Sequence, residues 1–143
     1  LIVGDLDHSR VYQSFTDGIK HFNSSVTLCG HPDLCTKVDS SKLKYESDLD
    51  KALEGKDVIM ALRIQHERMD GQIDQIGYIE DYQVDEQRLQ KANPNAILMH
   101  PGPVNQGIEI TEAVYKSKQS VILDQVANGV AMRMAILTKY LSQ

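Results

Sequence analysis

The sequence predicts a three-layer α/β fold in which helices cover both faces of a doubly wound parallel sheet. Short apolar runs typical of buried strands alternate along the chain with segments of helical periodicity. Three of these runs, at 1–3, 58–62 and 96–99, lead directly into polar residues. If the three runs are neighbours in one parallel sheet, the polar residues that follow them converge on one crevice. The functional interpretation depends on that convergence.

The first part of the chain reads as a βαβ unit. Residues 1–3 form the first strand, and Ser9 is a plausible N-cap for the helix that follows. The apolar residues of this helix fall on one face: Val11, Phe15, Ile19 and Phe22. A polar break at 23–25 separates the helix from a second strand at 26–29.

The next segments continue the alternation. Residues 43–45 alternate like an edge strand, and Ser47 is predicted to cap a short helix that stops at Gly55. The apolar run 58–62 is then expected to be a strand covered on both faces. Residues 70–83 contain two glycines and scattered acids, so we predict a long polar loop there.

The last part of the chain is predicted to contain two helices and one strand. Residues 85–92 read as a helix that ends at Asn93, and strand 96–99 leads into a loop rich in proline and glycine. A final helix is predicted over 124–141 because its apolar residues form one stripe. That stripe consists of Val126, Val130, Met134, Leu137 and Leu141.

Composition excludes several classes of protein. A chain of 143 residues with 41% hydrophobic and 24% charged residues is ordinary for one globular domain. The net charge of −5, without a basic run, argues against nucleic acid or an anionic membrane as a partner. No apolar segment approaches the roughly 20 residues that span a bilayer. The absence of a Gly-x-Gly-x-x-Gly or Walker loop and of metal-ligand spacing gives no support for a cofactor or a metal.

The two cysteines and the first residues bear on location and completeness. Cys29 and Cys35 could form a local disulfide or half of a zinc site, but we favour two free thiols in a reducing cytosol. The N-terminus does not read as a signal peptide, and we expect a cytoplasmic protein. It begins inside an apolar strand without an initiator methionine, which suggests a piece of a longer protein.

Arg10 is the first candidate site residue. It follows the first strand and lies in the first turn of a predicted helix, where free N–H groups already favour anions. A guanidinium adds a two-pronged donor that suits a carboxylate. The alternative is an arginine that faces solvent or pairs with Asp5 or Asp7.

Arg63 is the second candidate. It comes directly after a buried strand, where a charge is costly unless it is paired. An ion pair with Glu67 or Asp57 would explain it without any ligand. Together, Arg10 and Arg63 at adjacent strand ends would suit a ligand with two carboxylates.

The remaining polar residues at the strand ends have weaker interpretations. Gln65 can hydrogen-bond the same ligand or be an ordinary loop residue, and 66–68 can equally be a solvated helical turn. His100 can act as an acid or base near neutral pH, but we favour a role as a brace for a turn. The loop 101–103 has two prolines and exposes carbonyl groups that suit an amide or amine, unless it is a plain corner.

Four blocks of the sequence carry a family resemblance. In chain order they are GDLDHSRV at 4–11, LRIQHERM at 62–69, HPGPVN at 100–105 and DQVANGVAMRM at 124–134. Together they resemble the aspartate-binding domain of aspartate carbamoyltransferases, over essentially the whole chain. The resemblance implies a Rossmann-like fold for 1–143, which would be the C-terminal domain, with the N-terminal carbamoyl-phosphate-binding domain absent.

The implied reaction is carbamoyl transfer in de novo pyrimidine biosynthesis. The carbamoyl group of carbamoyl phosphate would pass to the α-amino group of L-aspartate, giving N-carbamoyl-L-aspartate and phosphate. The resemblance implies no metal and no cofactor. It implies a homotrimer for the full-length enzyme and leaves open a regulatory chain or a dihydroorotase as a further partner.

The resemblance also implies residue roles on the aspartate side of the site. Arg10 and Arg63 would be the two guanidinium anchors for aspartate, and Gln65 would assist them. Arg68 resembles a residue that steadies the substrate loop. No catalytic residue is assigned to this half of the enzyme.

On the carbamoyl side, the implied residues come from the proline-rich loop. Gly102 and Pro103 resemble the loop whose carbonyl groups meet the carbamoyl amide, and the family has a cis peptide bond before this proline. His100 and Pro101 would support that loop.

Two departures from the family pattern bear on activity. Gln106 stands where relatives with this loop usually have arginine. The phosphate-binding half, with its Ser-Thr-Arg-Thr loop and His-Pro-x-Gln segment, is absent, so we expect the isolated chain to be inactive and to form a monomer or a weak, non-native oligomer.

Two alternative functions remain open. The first is a non-catalytic amino-acid-binding or regulatory paralogue, which Gln106 favours. The second is a carbamoyltransferase for another amino acid such as ornithine. An ornithine enzyme would be expected to contain a Ser-Met-Gly loop and a His-Cys-Leu-Pro segment, and this sequence has neither.

Overall fold

The computed structural model describes residues 1–19, 21–38, 43–64 and 74–142. Its strands are β1 (Ile2–Val3), β2 (Thr27–Cys29), β3 (Lys44–Tyr45), β4 (Val58–Ala61) and β5 (Ile97–Met99). Its α-helices are α1 (Arg10–Ile19), α2 (Leu49–Leu53), α3 (Gln75–Tyr82), α4 (Glu86–Leu89), α5 (Glu112–Tyr115) and α6 (Ile122–Leu141). A short 3₁₀ turn spans Pro32–Leu34.

The strands form one all-parallel sheet in the order β3-β2-β1-β4-β5. The predicted doubly wound α/β fold is therefore confirmed. The chain builds outward from β1 to β3 on one side and then crosses to β4 and β5 on the other. The order thus reverses between β1 and β4, and in open α/β sheets the ligand crevice lies at such a reversal, beyond the carboxyl ends of the strands.

The hydrophobic core surrounds the central strands. Ile2, Leu28, Ile59 and Leu98, one from each of β1, β2, β4 and β5, are at most 2% exposed. Apolar side chains of α2 and α3 also belong to this core. The central strands are apolar because both faces of a parallel sheet are usually covered.

Two predicted helices are confirmed, but within the described residues the predicted apolar stripes of both helices are at most partly buried. Helix α1 has no buried residue, and Phe22, just beyond its end, is 68% exposed. In α6, Ile122 is the buried residue, and all five members of the predicted stripe are at least half exposed. The periodicity therefore predicted the helices correctly, although Phe15 of α1 is only partly buried against the core and the stripe of α6 is exposed.

The prediction of a polar loop over 70–83 is wrong from residue 75 onward, and 70–73 lie outside the described residues. Helix α3 occupies most of this segment because Asp74 caps it, accepting hydrogen bonds from the backbone N–H groups of Ile76 and Gly77. Tyr78 and Tyr82 lie one turn apart and are both buried. Their spacing of four residues was the helical signal in an otherwise polar segment.

The cap of α2 also differs from the prediction. Asp48, not Ser47, is the N-cap, and its carboxylate accepts a hydrogen bond from the backbone N–H of Lys51. Helix α5, capped by Thr111, has no counterpart among the predicted elements.

Cys29 and Cys35 are buried free thiols. Burial raises the pKa of each thiol to about 12, so both side chains are neutral at physiological pH. None of the helices in the described ranges combines the length and apolarity needed to cross a membrane.

Candidate functional site

The three strands that lead into polar residues are neighbours, as predicted. Strand β1 pairs with β4, with Val3 opposite Ala61, and β4 pairs with β5, with Met60 opposite Met99. In this register the three segments leave the sheet at nearly the same level. The residues after them are Arg10 in α1, Arg63 after β4, and the loop that begins at His100 after β5.

Gly4 brings the first two segments together. It has a φ angle of +128°, and a Cβ atom added there would lie 2.7 Å from the carbonyl oxygen of Leu62. The backbone that leaves β1 therefore contacts the backbone that leaves β4 without an intervening side chain. Because Arg63 directly follows Leu62, this close approach helps to set the spacing between the two arginine-bearing segments.

The β1–α1 loop is held by buried carboxylates. Asp5 is fully buried and accepts hydrogen bonds from the backbone N–H of His8 and from its Nδ1. Asp7 accepts from the backbone N–H groups of Thr36 and Lys37 and from the Thr36 hydroxyl. Burial would raise the pKa of Asp7, but these hydrogen bonds outweigh burial and hold it below its usual value.

These contacts limit the structural alternatives for Arg10. Arg10 is the first residue of α1 and is exposed, while the carboxylates of Asp5 and Asp7 bind other groups. Ser9 accepts a hydrogen bond from the backbone N–H of Tyr12, as expected of the predicted N-cap. Arg10 thus projects from a helix N-terminus that a buried network fixes in place.

Arg63 lies half-buried beyond the end of β4. Asp57 lies at the opposite end of this strand, and its carboxylate accepts a hydrogen bond from the side-chain amide of Asn93. The alternative of an Arg63–Asp57 ion pair is therefore unsupported by the strand geometry. Gln65, Glu67 and Arg68 lie outside the described residues, so the roles predicted for them remain predictions.

His100 makes the contact expected of a brace. Its Nδ1 accepts a hydrogen bond of 2.9 Å from the backbone N–H of Gly102, and its own backbone N–H donates to Gln125 Oε1 at 3.0 Å. The imidazole is fully buried, and this burial lowers its pKa to about 4. His100 is therefore neutral near pH 7, with the proton on Nε2, so it is poorly suited to accept a proton there.

We expect this histidine to make the chain acid-sensitive. Its pKa of about 4 in the folded chain lies below the ordinary histidine pKa of 6.5 expected in the unfolded chain, so the stabilising contribution is complete above pH 6.5 and is lost as the pH falls toward 4. The loss amounts to about 3 kcal/mol. Urea unfolding from pH 7 to pH 4 measures it against His100→Asn, which keeps an acceptor near Nδ1 but does not titrate. Parallel stability curves for the two chains would contradict the prediction.

The loop after His100 has the shape that the family resemblance implies. The peptide bond between Gly102 and Pro103 is cis, and Gly102 has a φ angle of +72°, a region that favours glycine. Pro101 and Pro103 donate no backbone hydrogen bond, so the loop presents mainly carbonyl groups. Gln106, at the end of this loop, is exposed.

Glu109 and Asn105 are the site residues that sequence reasoning missed. Glu109 is 2% exposed, and its carboxylate accepts hydrogen bonds from the backbone N–H groups of Ile64 and Asn105. The Asn105 side-chain amide donates to Glu109 and to the carbonyl oxygen of Ile64. Burial raises the pKa of Glu109, although these hydrogen bonds oppose the rise. An acid between two isoleucines, Ile108 and Ile110, was the signal available in the sequence.

Arg10, Arg63 and the proline-rich loop thus follow three neighbouring strands at one edge of the sheet. Guanidinium groups suit carboxylates, and carbonyl oxygens can accept hydrogen bonds from an amide. Among the described residues, no cluster of three or more His, Cys, Asp or Glu side chains could hold a metal ion.

Comparison with known proteins gives one family and one fold. The family model described as aspartate/ornithine carbamoyltransferase, Asp/Orn binding domain, matches residues 1–140. The aspartate carbamoyltransferase catalytic subunit of Koribacter versatilis (strain Ellin345) is 45% identical over 149 residues, covering 99% of this chain and 48% of that protein. The subunit of the same name from Coxiella burnetii (strain Dugway 5J108-111) is 42% identical over 142 residues, covering 98% and 46%.

Solved structures share the fold at low sequence identity. Ornithine carbamoyltransferase from Burkholderia thailandensis E264 superposes with a TM-score of 0.74 at 19% identity, over 96% of this chain and 46% of that one. Aspartate transcarbamoylase from Trypanosoma cruzi, in complex with carbamoyl phosphate, gives 0.72 at 23% identity, over 95% and 47%. The chain thus spans about half of the length of the relatives that it matches.

Proposed function

Because this chain belongs to the Asp/Orn-binding domain family of aspartate/ornithine carbamoyltransferases, we propose that it is the aspartate-binding half of an aspartate carbamoyltransferase. The complete enzyme transfers the carbamoyl group of carbamoyl phosphate to the α-amino group of L-aspartate. The products are N-carbamoyl-L-aspartate and phosphate, in de novo pyrimidine biosynthesis. The observation that carries the proposal is the position of Arg10 and Arg63 beyond β1 and β4, where the strand order reverses.

Two arguments favour aspartate over ornithine as the acceptor. The relatives at 42–45% identity are aspartate carbamoyltransferase catalytic subunits. Aspartate has two carboxylates, and Arg10 and Arg63 supply one guanidinium for each. Ornithine has one carboxylate and a cationic side chain, which the second guanidinium would repel.

In this reaction the main task of the aspartate-binding half is to position the reactants. The neutral amine of aspartate attacks the carbamoyl carbon, a C–N bond forms, and the C–O bond to phosphate breaks. The nitrogen then releases a proton, and phosphate leaves with the bonding electron pair. Holding both reactants in attacking geometry can lower the barrier by roughly 7 to 11 kcal/mol.

The proline-rich loop would orient the second reactant. In this proposal the carbonyl groups near Gly102 and Pro103 accept hydrogen bonds from the carbamoyl NH₂ group, so that the carbamoyl carbon faces the amine. His100 supports the loop through its hydrogen bond with Gly102. Because His100 is neutral, it does not attract the leaving phosphate toward the loop. Gln65, Arg68 and Pro101 complete the site as assisting residues.

We further propose that the full-length enzyme is a cytoplasmic homotrimer and that this chain alone does not catalyse. The inactivity of the chain alone is supported by its length, which is about half of that of its relatives, and the trimer and the location follow from the family resemblance. In this view the other half supplies the phosphate-binding site. A regulatory chain or a dihydroorotase remains an open partner.

A carbamoyl-transfer assay on the full-length protein tests the proposed reaction. With L-aspartate and L-ornithine offered separately, we expect aspartate to be carbamoylated at least 100-fold more efficiently, because a buried or half-buried charge left unpaired costs several kcal/mol. Preference for ornithine would reassign the acceptor. Transfer to neither, with binding of aspartate retained, would instead indicate the non-catalytic binding module that Gln106 favours.

A further inference from the structure

We infer that Glu109 is a positioning residue that fixes the aspartate-anchoring end of β4 against the loop that orients the carbamoyl group. The inference rests on the proposed function and adds a residue to it. Glu109 lies in neither segment and belongs to the stretch that follows the proline-rich loop. Its role follows from the groups that its carboxylate joins.

The carboxylate of Glu109 links two separate segments. Its Oε1 accepts a hydrogen bond of 2.8 Å from the backbone N–H of Ile64, which directly follows Arg63. Its Oε2 accepts one of 2.8 Å from the backbone N–H of Asn105, which lies two positions after Pro103. The Glu109 side chain therefore bridges Ile64, which follows Arg63, and Asn105, which lies at the end of the proline-rich loop.

Asn105 closes this bridge into a ring of contacts. Its side-chain amide donates to Glu109 Oε1 at 2.8 Å and to the carbonyl oxygen of Ile64 at 3.1 Å. Both backbone groups of Ile64 are thus bound by the same two side chains. We call this arrangement, formed by Ile64, Asn105 and Glu109, the clamp.

A second contact holds the beginning of the loop. His100 binds Gly102 through Nδ1, while its Nε2 lies 4.0 Å from Glu109 Oε2, beyond hydrogen-bond distance. The loop is consequently held by His100 at its start and by Glu109 at its end. At Asn105, the end of the loop cannot shift relative to Ile64 without breaking hydrogen bonds to a buried acid.

Stability alone is a poor explanation for such an arrangement. A buried carboxylate carries a large desolvation cost, and replacing buried ionic groups with apolar ones is often neutral or stabilising. Charge-assisted hydrogen bonds do, however, define geometry sharply. The rate of a reaction between two bound reactants depends on the distance between them, and a misplacement of about 1 Å can lower it about 100-fold. Hydrogen bonds that fix this distance therefore favour a high rate.

The test is Glu109→Gln in the full-length protein, a nearly isosteric change that replaces one acceptor oxygen with an NH₂ group. We expect kcat to fall about 10- to 100-fold while KM for each substrate stays within about threefold, because each substrate keeps its own contacts. Asn105→Ala, which removes only the side-chain contacts of the clamp, is expected to lower kcat by a smaller factor. Both are assayed at temperatures where circular dichroism shows a folded protein.

Leu53→Val is the control, since Leu53 is fully buried in α2 and contacts neither segment of the site through a hydrogen bond. It lowers stability through the core, and its kcat should stay within about twofold of the unmodified protein. An unchanged kcat in Glu109→Gln, or an equal fall in Leu53→Val, would overturn the inference.

Hydrogen exchange separates this inference from the proposed reaction. In Glu109→Gln, peptides that contain the amides of Ile64 and Asn105 should exchange at least about tenfold faster, with the rest of the sheet unchanged. Unchanged exchange would overturn the clamp even if the enzyme is active. An unmodified protein that transfers no carbamoyl group would overturn the proposed function, with the exchange result still deciding the clamp.

Discussion

Arg63→Ala in the full-length protein lowers kcat/KM for L-aspartate by about 100- to 1,000-fold. Arg63 is half-buried beyond β4, so one carboxylate of bound aspartate would face the alanine without a counter-charge. Removing one partner of a desolvated, hydrogen-bonded charge pair costs about 2 to 5 kcal/mol. Steady-state kinetics with aspartate as the varied substrate measures the effect. The change should be larger in kcat/KM for aspartate than in kcat/KM for carbamoyl phosphate.

Two further variants sharpen this prediction. Arg63→Lys keeps the charge but loses the two-pronged geometry, so it should restore only part of the activity. Lys51→Ala is the matched control, because Lys51 is an exposed cation on α2 that pairs with Asp48. Equal activity of Arg63→Ala and Lys51→Ala would show that Arg63 does not hold the substrate.

Gly4→Ala is expected to destabilise the fold by about 3 to 5 kcal/mol. At a φ angle of +128° an alanine is strained, and its Cβ would lie 2.7 Å from the carbonyl oxygen of Leu62. To relieve this contact, β1 and β4 have to separate at the edge that carries the candidate site. Such overpacking typically costs about 1 to 3 kcal/mol in addition to the backbone strain. Urea unfolding of the 143-residue chain, followed by circular dichroism, measures the loss.

Gly18→Ala is the matched control for this substitution. Gly18 lies within α1, and a Cβ atom added there meets nothing within 4 Å. Alanine should therefore stabilise the helix by about 0.5 to 1 kcal/mol. If the two alanine variants change the free energy of unfolding equally, the close approach of Gly4 to Leu62 does not constrain the fold.

The sheet and the neighbouring strands that carry the candidate site residues were predictable because each depends on a local pattern. An apolar run followed at once by polar residues indicates the carboxyl end of a buried strand, and three such transitions predicted the segments that carry Arg10, Arg63 and His100. The strand order confirms that these segments are neighbours. Substrate binding by the arginines is tested by the kinetics of Arg63→Ala and Arg63→Lys.

The features that the sequence analysis missed depend on caps and long-range contacts and not on a local pattern of apolar residues. Helix α3 was missed because one aspartate cap and two tyrosines, Tyr78 and Tyr82, outweigh the glycines and acids around them. Glu109 was missed because its role depends on contacts with Ile64, 45 positions away, which no local pattern reveals. The stripe of α6 was read correctly as helical, but periodicity alone does not say what covers an apolar face.

The most direct test of the central claim is a crystal structure of the full-length protein with carbamoyl phosphate and a four-carbon dicarboxylate that lacks the amine. We predict that one carboxylate lies within about 3 Å of the Arg63 guanidinium and the other within about 3 Å of that of Arg10. The carbamoyl NH₂ group should face the carbonyl groups near Gly102 and Pro103. A dicarboxylate bound away from both arginines would contradict the assignment of this edge of the sheet as the aspartate site.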